Sequence, residues 1–290
     1  MMGTTHVAYG DESLYNIGRY RSIGVVSLPM SVDACVTDTL RTLLVESGLR
    51  EFKFQNLRQA RERFAALRMV DLTIEQALCG GLRLDVLTWD TQDSRHRIKG
   101  RDDIGNLQRM YYHLLKNALQ RWSGSTSWAF RPDENSAMDW ETVRDYVDGA
   151  GLSAQVTRQE AGLFRLRLNQ DFRVVHVQEV DSRELPVCQL ADLFAGLSTF
   201  SRHKFRTYCW WEQCRYGQAP LLPDAEPPRL SNSDQERCAV LGHFDRGCKQ
   251  HKLGVSLKSK RGLWTPDPSN PINFWFYEPQ HREDKAPTTR

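Results

Sequence analysis

The stretch THVAYGDES, residues 5–13, predicts the first strand of the fold and carries the first candidate site residue. A short apolar, β-prone run leads directly into two adjacent acids, Asp11 and Glu12. An acid at the end of a strand often begins a turn, but a carboxylate in that position can also bind a metal ion. Because neighbouring residues of a strand face opposite ways, we expect Asp11 rather than Glu12 to face such an ion.

Outward from this stretch, strand-like apolar runs alternate with segments of helical periodicity. Strands are predicted over residues 22–29, 82–90, 126–134 and 164–182, the last as a strand pair or a bent strand. Helices are predicted over residues 33–48, 56–81 (as one helix or two), 102–122, 141–151 and 185–205. Strands that alternate with helices indicate an α/β fold, and the leading hairpin indicates a mixed sheet with helices on both faces.

The character of the chain changes beyond about Lys204. A Pro-rich connector is followed by one helix and two short strand-like pieces. We therefore expect an α/β core over residues 1–204, a C-terminal helix and hairpin appendage over residues 205–280 packed on that core, and a flexible tail over residues 281–290.

The composition limits the class of protein. The chain has 290 residues, a net charge of +3 and 40% hydrophobic residues, which is ordinary for a globular protein and compatible with a nucleic-acid partner. It lacks an apolar run of the ~18–20 residues that a membrane span needs, and its N-terminus does not resemble a secretory signal. Seven cysteines, an odd number, favour reduced thiols and a cytoplasmic location.

Five acids lie at the end of a strand, beside a buried segment or inside an apolar helix: Asp11, Glu51, Asp90, Asp133 and Asp192. In the helix CQLADLFAGL, an unpaired Asp192 carboxylate would cost several kcal/mol unless it met a cation; alternatively it caps a loop or pairs with an arginine. Ligands gather beyond the carboxyl ends of strands in open α/β sheets, and Mg²⁺ or Mn²⁺ binds carboxylate oxygens. The set therefore predicts a metal site of the kind that acts on phosphodiesters.

The motifs YGDES, EFKF, LTWD and VDSRELPVCQLADLFAG occur in an order that resembles the bacterial "domain of unknown function 3800" family, over roughly two thirds of the chain. That family is similar to the ribonuclease-H-like fold, whose metal ligands come from the first strand, the first helix region, the end of the fourth strand and a late helix. The resemblance implies these roles, in turn, for Asp11, Glu51, Asp90 and Asp192. Asp133 is the alternative ligand, because only two strands precede the first helix and Glu51 follows that helix.

Other polar residues are expected to support these acids. Lys53 lies two residues after Glu51 and would share its face on an extended segment. It could hold a phosphate or steady the acids while no metal is bound; the alternative is an ordinary surface lysine. Candidates for supporting hydrogen bonds are Glu12, Ser13, Ser182 and Gln189.

Basic residues interleave with aromatic residues in two places, over residues 200–216 and 251–264. Cations that meet phosphates, beside rings that meet bases, are typical of nucleic-acid binding. The alternative for the first segment is an amphipathic helix with a solvated basic face. The predicted nucleic-acid contacts are Arg202, Lys204, Arg206, Lys258, Lys260 and Arg261.

A zinc site is the main rival chemistry, since two cysteines and two histidines follow one another near the C-terminus: Cys238, His243, Cys248 and His251. Their spacing lacks the close pairs typical of zinc ligands. We therefore expect a Mg²⁺- or Mn²⁺-dependent nuclease, with a role in bacterial defence or on a mobile element implied by the resemblance alone. The alternatives are a catalytically silent nucleic-acid-binding or assembly subunit and a hydrolase of nucleotides, and association with another protein or with a second copy stays open.

Overall fold

The computed structural model describes residues 3–13, 19–96, 102–135, 137–158, 164–215, 230–281 and 284–288. Its strands are β1 (His6–Ser13), β2 (Tyr20–Pro29), β3 (Arg83–Asp90), β4 (Thr126–Pro132), β5 (Leu152–Arg158), β6 (Phe164–Gln170), β7 (Phe172–Val177) and β8 (Ile272–Phe276). Its helices are α1 (Met30–Glu46), α2 (Ala60–Leu78), α3 (Asp103–Gln120), α4 (Trp140–Ala150), α5 (Val187–His203), α6 (Phe205–Arg215) and α7 (Asn232–Gln250).

Six strands form one mixed sheet in the order β7-β4-β1-β2-β3-β8. β2 runs antiparallel to both β1 and β3, whereas β4 is parallel to β1, β7 to β4 and β8 to β3. The predicted mixed sheet flanked by helices is thereby confirmed. The two strands predicted over residues 164–182 both form, but they do not pair with each other. β6 pairs with β5 in a separate two-stranded sheet, and β7 alone joins the main sheet.

Apolar side chains fill both faces of this sheet. One cluster packs α1, α2, α5 and α7 against it, and the other packs α3 and α4. β1 alternates as its sequence indicates, with Val7 and Tyr9 in the first cluster and Ala8 in the second. The period of two puts Asp11 on the side of α5 and Glu12 on the side of α3.

Helix α5 packs unusually close to β2, because Gly24 lies beneath it. A Cβ atom at Gly24 would stand 2.5 Å from the carbonyl oxygen of Ala191. On the strand ladder, Gly24 is the partner of Asp11, and Ala191 directly precedes Asp192. The missing side chain therefore brings the acid of the helix towards the acid of the first strand.

The C-terminal segment completes the main sheet. β8 pairs with β3 as the sixth strand, and α7 packs on α2. Ser256 and Trp264 form an isolated antiparallel bridge where a hairpin strand was expected. Part of the segment expected to be a flexible tail also packs on the core, since Nε1 of Trp89 donates a hydrogen bond to the carbonyl of Pro287 at 3.1 Å.

Among the helices of the described segments, none combines the length and the apolar character needed to cross a lipid bilayer. All seven cysteines of the chain carry free thiols.

Candidate functional site

The extended EFKF segment is attached to α5 by two side chains of that helix. Oε1 of Gln189 accepts a hydrogen bond from the amide of Phe52 at 2.8 Å, and Oδ2 of Asp192 accepts one from the amide of Phe54 at 2.6 Å. The two acceptors are three residues apart and therefore share a helix face. The Gln189 and Asp192 side chains therefore accept from every second amide of the segment, as the carbonyls of a neighbouring β-strand would. Phe52 and Phe54 are buried, so the intervening Lys53 points the other way.

Lys53 lies among polar groups from three separate parts of the chain. Its Nζ atom is 3.1 Å from Oδ2 of Asp133, 3.1 Å from Oγ of Ser182 and 3.4 Å from Oε1 of Glu51. Ser182 joins the acids to one another, because its hydroxyl donates to Oε1 of Glu51 at 2.8 Å and its amide donates to Oδ1 of Asp133 at 3.2 Å. Nε2 of Gln189 donates to the carbonyl of Ser182 at 2.7 Å and secures that segment to α5.

Asp11 and Asp192 add two buried carboxylates to this network. Burial raises the pKa of Asp11 well above its usual range, and the charges of Asp192 and Asp133 raise it further. Burial likewise raises the pKa of Asp192 to about 6, although the hydrogen bond from Phe54 and the charge of Lys53 act in the opposite direction. The two carboxylates therefore resist being ionised together.

The acids also change the pKa of Lys53. Burial alone would lower the pKa of this ammonium, but the charges of Asp11, Asp133 and Asp192 outweigh burial and raise it. Lys53 is thus held in its charged form, and it supplies the cation that these acids need. We call Asp11, Glu51, Lys53, Asp133 and Asp192 the Lys53 cluster.

The acidic side chains of the Lys53 cluster are all carboxylates, which are the donors that a hard divalent cation binds. Within the described ranges, however, no three His, Cys, Asp or Glu side chains stand close enough to hold one ion together. The carboxylates are at present partnered by the ammonium of Lys53 and the amide of Phe54 instead.

Asp90 lies apart from the Lys53 cluster, so the structure does not bring it together with the other predicted metal ligands and catalytic residues. Asp90 on β3 pairs with Tyr20 on β2. Asp11 on β1 pairs with Gly24 on β2, and Gly24 pairs in turn with Val86 on β3. Asp90 is thus four positions, about 13 Å, further along the strand direction and two strands away. Its carboxylate pairs with Nη2 of Arg19 at 2.5 Å.

Asp133, which the sequence offered as the alternative ligand, lies in the Lys53 cluster. It follows β4, the parallel neighbour of β1, and its amide donates to the carbonyl of Gly10 at 2.8 Å. The sequence offered both acids at strand ends, and only the pairing of strands distinguishes them. Knowing which strands are neighbours in space would have separated Asp133 from Asp90, but a pattern of apolar residues does not reveal that order.

Glu12 and Ser13 do not support the Lys53 cluster with their side chains. Glu12 lies on the other face of the sheet, where Nδ2 of Asn135 donates to its Oε1 atom, and burial raises its pKa. Both Glu12 and Ser13 line a separate cavity of about 240 Å³ beside Trp89 and Arg21. Gln189 and Ser182, by contrast, make the supporting hydrogen bonds described above.

The predicted nucleic-acid contacts fall into three groups. Arg202, Lys260 and Arg261 line one cavity beside β8. Lys204 pairs with Asp234 at 3.3 Å instead. Two further residues, Arg206 and Lys258, are exposed away from that lining.

The rival zinc site is not assembled. Three of its four residues lie along α7, where Cys238 and Cys248 are buried and Nε2 of His243 is 2.6 Å from Oδ1 of Asp71. The described segments contain no metal-binding group of three such residues there.

The fold and the Lys53 cluster define an α/β protein with a buried acidic centre at the junction of β1, β4 and α5. The chain is 41% identical over 296 residues to "Uncharacterized protein ORF2'" of Methanothermobacter thermautotrophicus, covering 99% of each chain. It is also 41% identical over 294 residues to "Uncharacterized protein ORF2" of the same organism, again over 99% of each chain. The chain therefore belongs to the family of these archaeal ORF2 proteins. No protein-family model matches it.

Proposed function

We propose that this protein is a divalent-metal-dependent nuclease in which Asp11, Asp133 and Asp192 hold Mg²⁺ or Mn²⁺, with Glu51 beside them. One observation carries the proposal: carboxylates from β1, from the end of β4, from α5 and from the EFKF segment gather around a single ammonium. Burying several acids together is costly unless a cation compensates them, and perturbed carboxylates cluster at functional sites.

The raised pKa values of Asp11 and Asp192 support a metal rather than a purely structural role. Two neighbouring carboxylates that cannot both ionise easily gain most from a partner of higher charge. When bound, the ion supplies a Lewis acid for the phosphate and lowers the pKa of the water that attacks phosphorus. Hydrolysis forms one bond from that water to phosphorus and breaks the bond to the leaving oxygen, which takes up a proton.

The protein's own groups have separate tasks in this scheme. The amide of Phe54 fixes one oxygen of Asp192, so the other oxygen is oriented before any ligand binds. Lys53 is free to exchange its carboxylate partners for a phosphate oxygen once the acids have another cation. Glu51 keeps 28% of its side chain exposed and accepts a hydrogen bond from Ser182, so it is our candidate for accepting the proton of the attacking water.

We infer a ribonuclease-H-like fold as part of this proposal, and the strand arrangement supports that inference. In that fold the third ligand comes from the end of the fourth strand, and Asp133 follows β4. The first strand stands between an antiparallel and a parallel neighbour, so that its acid meets the late helix from the middle of the sheet. A role in defence or on a mobile element follows from the resemblance to the "domain of unknown function 3800" family alone.

A catalytically silent nucleic-acid-binding or assembly subunit is the second candidate. It is favoured by the way in which Lys53 and the amide of Phe54 already satisfy the acids without a metal. In that case the Lys53 cluster would serve only to join β4, α5 and the EFKF segment.

Thermal unfolding with and without Mg²⁺, Mn²⁺ or Ca²⁺ tests the proposal. An ion at ~100 times its dissociation constant should add roughly 2–3 kcal/mol to the free energy of unfolding. Asp11→Asn and Asp192→Asn should abolish that gain, and both should abolish cleavage of labelled DNA or RNA. Cleavage of free nucleotides but not of polymers would favour the hydrolase of nucleotides. If both variants keep the response to metal and the cleavage, the metal-site proposal is wrong.

A further inference from the structure

A cavity of about 1100 Å³ opens beside the edge strand β8, apart from the Lys53 cluster. Its walls come from β8, α3, the end of α5 and the turn that carries Lys260 and Arg261. This volume is at or above the upper end of pockets for small ligands, which span ~300–1,000 Å³. The cavity is therefore large enough for a ligand bigger than a single small molecule.

Three hydrogen-bonding atoms in the walls of this cavity have no partner among the described residues. They are Nε of Arg202, Nε1 of Trp275 and the hydroxyl oxygen of Tyr277, and all three are buried. Buried polar atoms are nearly always partnered, and leaving one unpaired costs about 1–3 kcal/mol. Since two of the three can only donate, they point to a ligand that offers hydrogen-bond acceptors.

The side chain of Arg202 is already arranged in a stack of aromatic rings. Its guanidinium carbon lies 4.2 Å from the ring centroid of Phe276 and 5.9 Å from that of Tyr20. Stacking occupies the flat face of a guanidinium and leaves its edge for an anion. Burial lowers the pKa of Arg202 to about 10, so the side chain keeps its charge at neutral pH.

The remaining charges of the walls favour an anionic ligand. Lys116, Lys260 and Arg261 line the cavity together with Arg202. Of the three acids that also line it, Asp90 is paired with Arg19 at 2.5 Å. Asp284 lies 3.6 Å from His113, whose pKa is lowered by burial, so this carboxylate keeps its charge, and the four cations still outnumber the acids. The third, Glu278, is exposed to solvent.

We propose that this cavity binds a single strand of nucleic acid, with phosphates on Arg202, Lys260 and Arg261 and bases against the partly exposed ring of Trp275. The choice of polymer rests on the proposed nuclease function, and the inference deepens it by naming an unpaired strand as the substrate. Base stacking on aromatic side chains requires bases that are free of a duplex, and each stacked base contributes ~1–3 kcal/mol. A duplex would offer this cavity phosphates alone.

Fluorescence anisotropy with a labelled oligothymidylate of about 12 nucleotides, a length within the site sizes typical of such proteins, tests this inference in EDTA. The exposed double variant Lys260→Glu/Arg261→Glu should weaken binding at least ~10-fold, equivalent to about 1.4 kcal/mol. It should also reduce the slope of log affinity against log salt by about 1.4, because each lost phosphate contact on a single strand accounts for ~0.7. Arg206→Glu/Lys258→Glu changes the net charge equally outside the cavity and should weaken binding far less.

Three comparison ligands separate the sources of affinity. The intact single strand should bind more tightly than an abasic strand of the same length, than the duplex and than free thymidine nucleotides. Equal binding of the abasic strand or of the duplex overturns the stacking of bases, and equal binding of free nucleotides overturns the strand as the ligand. Equal losses in the two double variants overturn the cavity as the site.

Because the titration contains no divalent ion, it measures binding independently of cleavage. A protein that binds the strand as described but cleaves no polymer refutes the nuclease and leaves the binding site standing. A protein that cleaves polymers but binds them with no dependence on Lys260 and Arg261 refutes the binding site and leaves the nuclease standing.

Discussion

The Nζ atom of Lys53 lies 3.1 Å from Oδ2 of Asp133, although 80 residues of sequence separate them. Lys53 belongs to a segment that follows α1, and Asp133 follows β4. Their contact exists because α5 holds the EFKF segment by its amides and β1 holds β4 by its ladder. The contact between Lys53 and Asp133 therefore forms only when α5, the main sheet and the EFKF segment are all in place around the acids.

Replacing Lys53 with Met should destabilise the metal-free protein by ~1–3 kcal/mol, since hydrogen bonds to charged groups contribute about that much. The side chain is only 26% exposed, so solvent does not replace the lost contacts fully. Under the proposed function, Mg²⁺ should recover most of this loss, because the ion supplies the missing charge. Urea unfolding with EDTA and with Mg²⁺ measures both quantities.

Lys249→Met is a matched control for that experiment. Lys249 also pairs with an acid, Asp245, at 2.6 Å, but its side chain is 54% exposed on the surface of α7. Because the Asp245 side chain is only 7% exposed, this variant should also lose stability, but Mg²⁺ should not recover that loss. A deficit in Lys53→Met that is the same with and without Mg²⁺ would argue for a purely structural lysine.

The stability of the metal-free protein should depend on the protonation of Asp192. Its pKa is raised from 3.8 to about 6 on folding, so the folded state binds the proton more tightly than the unfolded state. This contribution is fully present below pH 3.8 and is lost as the pH rises to about 6. One pKa unit corresponds to ~1.4 kcal/mol, which suggests a change on the order of 1–3 kcal/mol.

Asp192→Asn removes the charge and keeps an oxygen that can accept the Phe54 amide. The difference in unfolding free energy between this variant and the wild type, followed from pH 4 to 7 in EDTA, reports the titration of Asp192 together with its effect on Asp11. We expect the variant to gain stability relative to the wild type as the pH rises. Parallel curves would show that Asp192 titrates normally. Asp192→Ala should be destabilised throughout, since it also leaves the amide unpaired.

The order of strands and helices was largely predictable because each element has a clear apolar period. The run before Asp11 and the periodicity of α3 and α5 correspond to observed elements. The pairing of those strands was not predictable from the same signal. β6 and β7 are consecutive and similar in sequence character, yet they join different sheets, because period and propensity are local whereas pairing depends on the whole assembly.

For the candidate site too, the residues could be named from the sequence, but their arrangement in space could not. Asp11, Glu51, Lys53 and Asp192 were named from motifs, and the structure brings them together through Gly24, Gln189 and the EFKF amides. The sequence did not separate Asp90 from Asp133, because each lies at or directly after the end of a strand. Asp133 lies near Asp11 because β4 is a neighbour of β1 in the sheet, whereas β3, which ends with Asp90, is separated from β1 by β2. The order of strands along the chain does not reveal this arrangement.

Gly24→Ala should disturb the site without touching any acid. The new Cβ would stand 2.5 Å from the carbonyl oxygen of Ala191, so α5 must move away from β2. We expect a loss of ~1–3 kcal/mol, as for other overpacked positions, and a smaller stabilisation by Mg²⁺, since Asp192 would retreat from Asp11. Gly105→Ala is the control: it meets no atom within 4 Å in helix α3 and should stabilise the protein by ~0.4–1 kcal/mol.

Asp133→Asn and Asp90→Asn compare the acid that we propose as a metal ligand with an acid that lies outside the Lys53 cluster. Asp133 contacts Lys53 and Ser182, so its variant should weaken the apparent affinity for Mg²⁺ at least ~10-fold, or about 1.4 kcal/mol. Asp90 pairs with Arg19, whose side chain is 51% exposed, so its variant should lose less than ~1 kcal/mol of stability and keep the response to Mg²⁺. Titration of the melting temperature with Mg²⁺ measures both affinities under one set of conditions. The reverse order of effects would return Asp90 to the metal site and would require the Lys53 cluster to be reassigned as a structural ion-pair network.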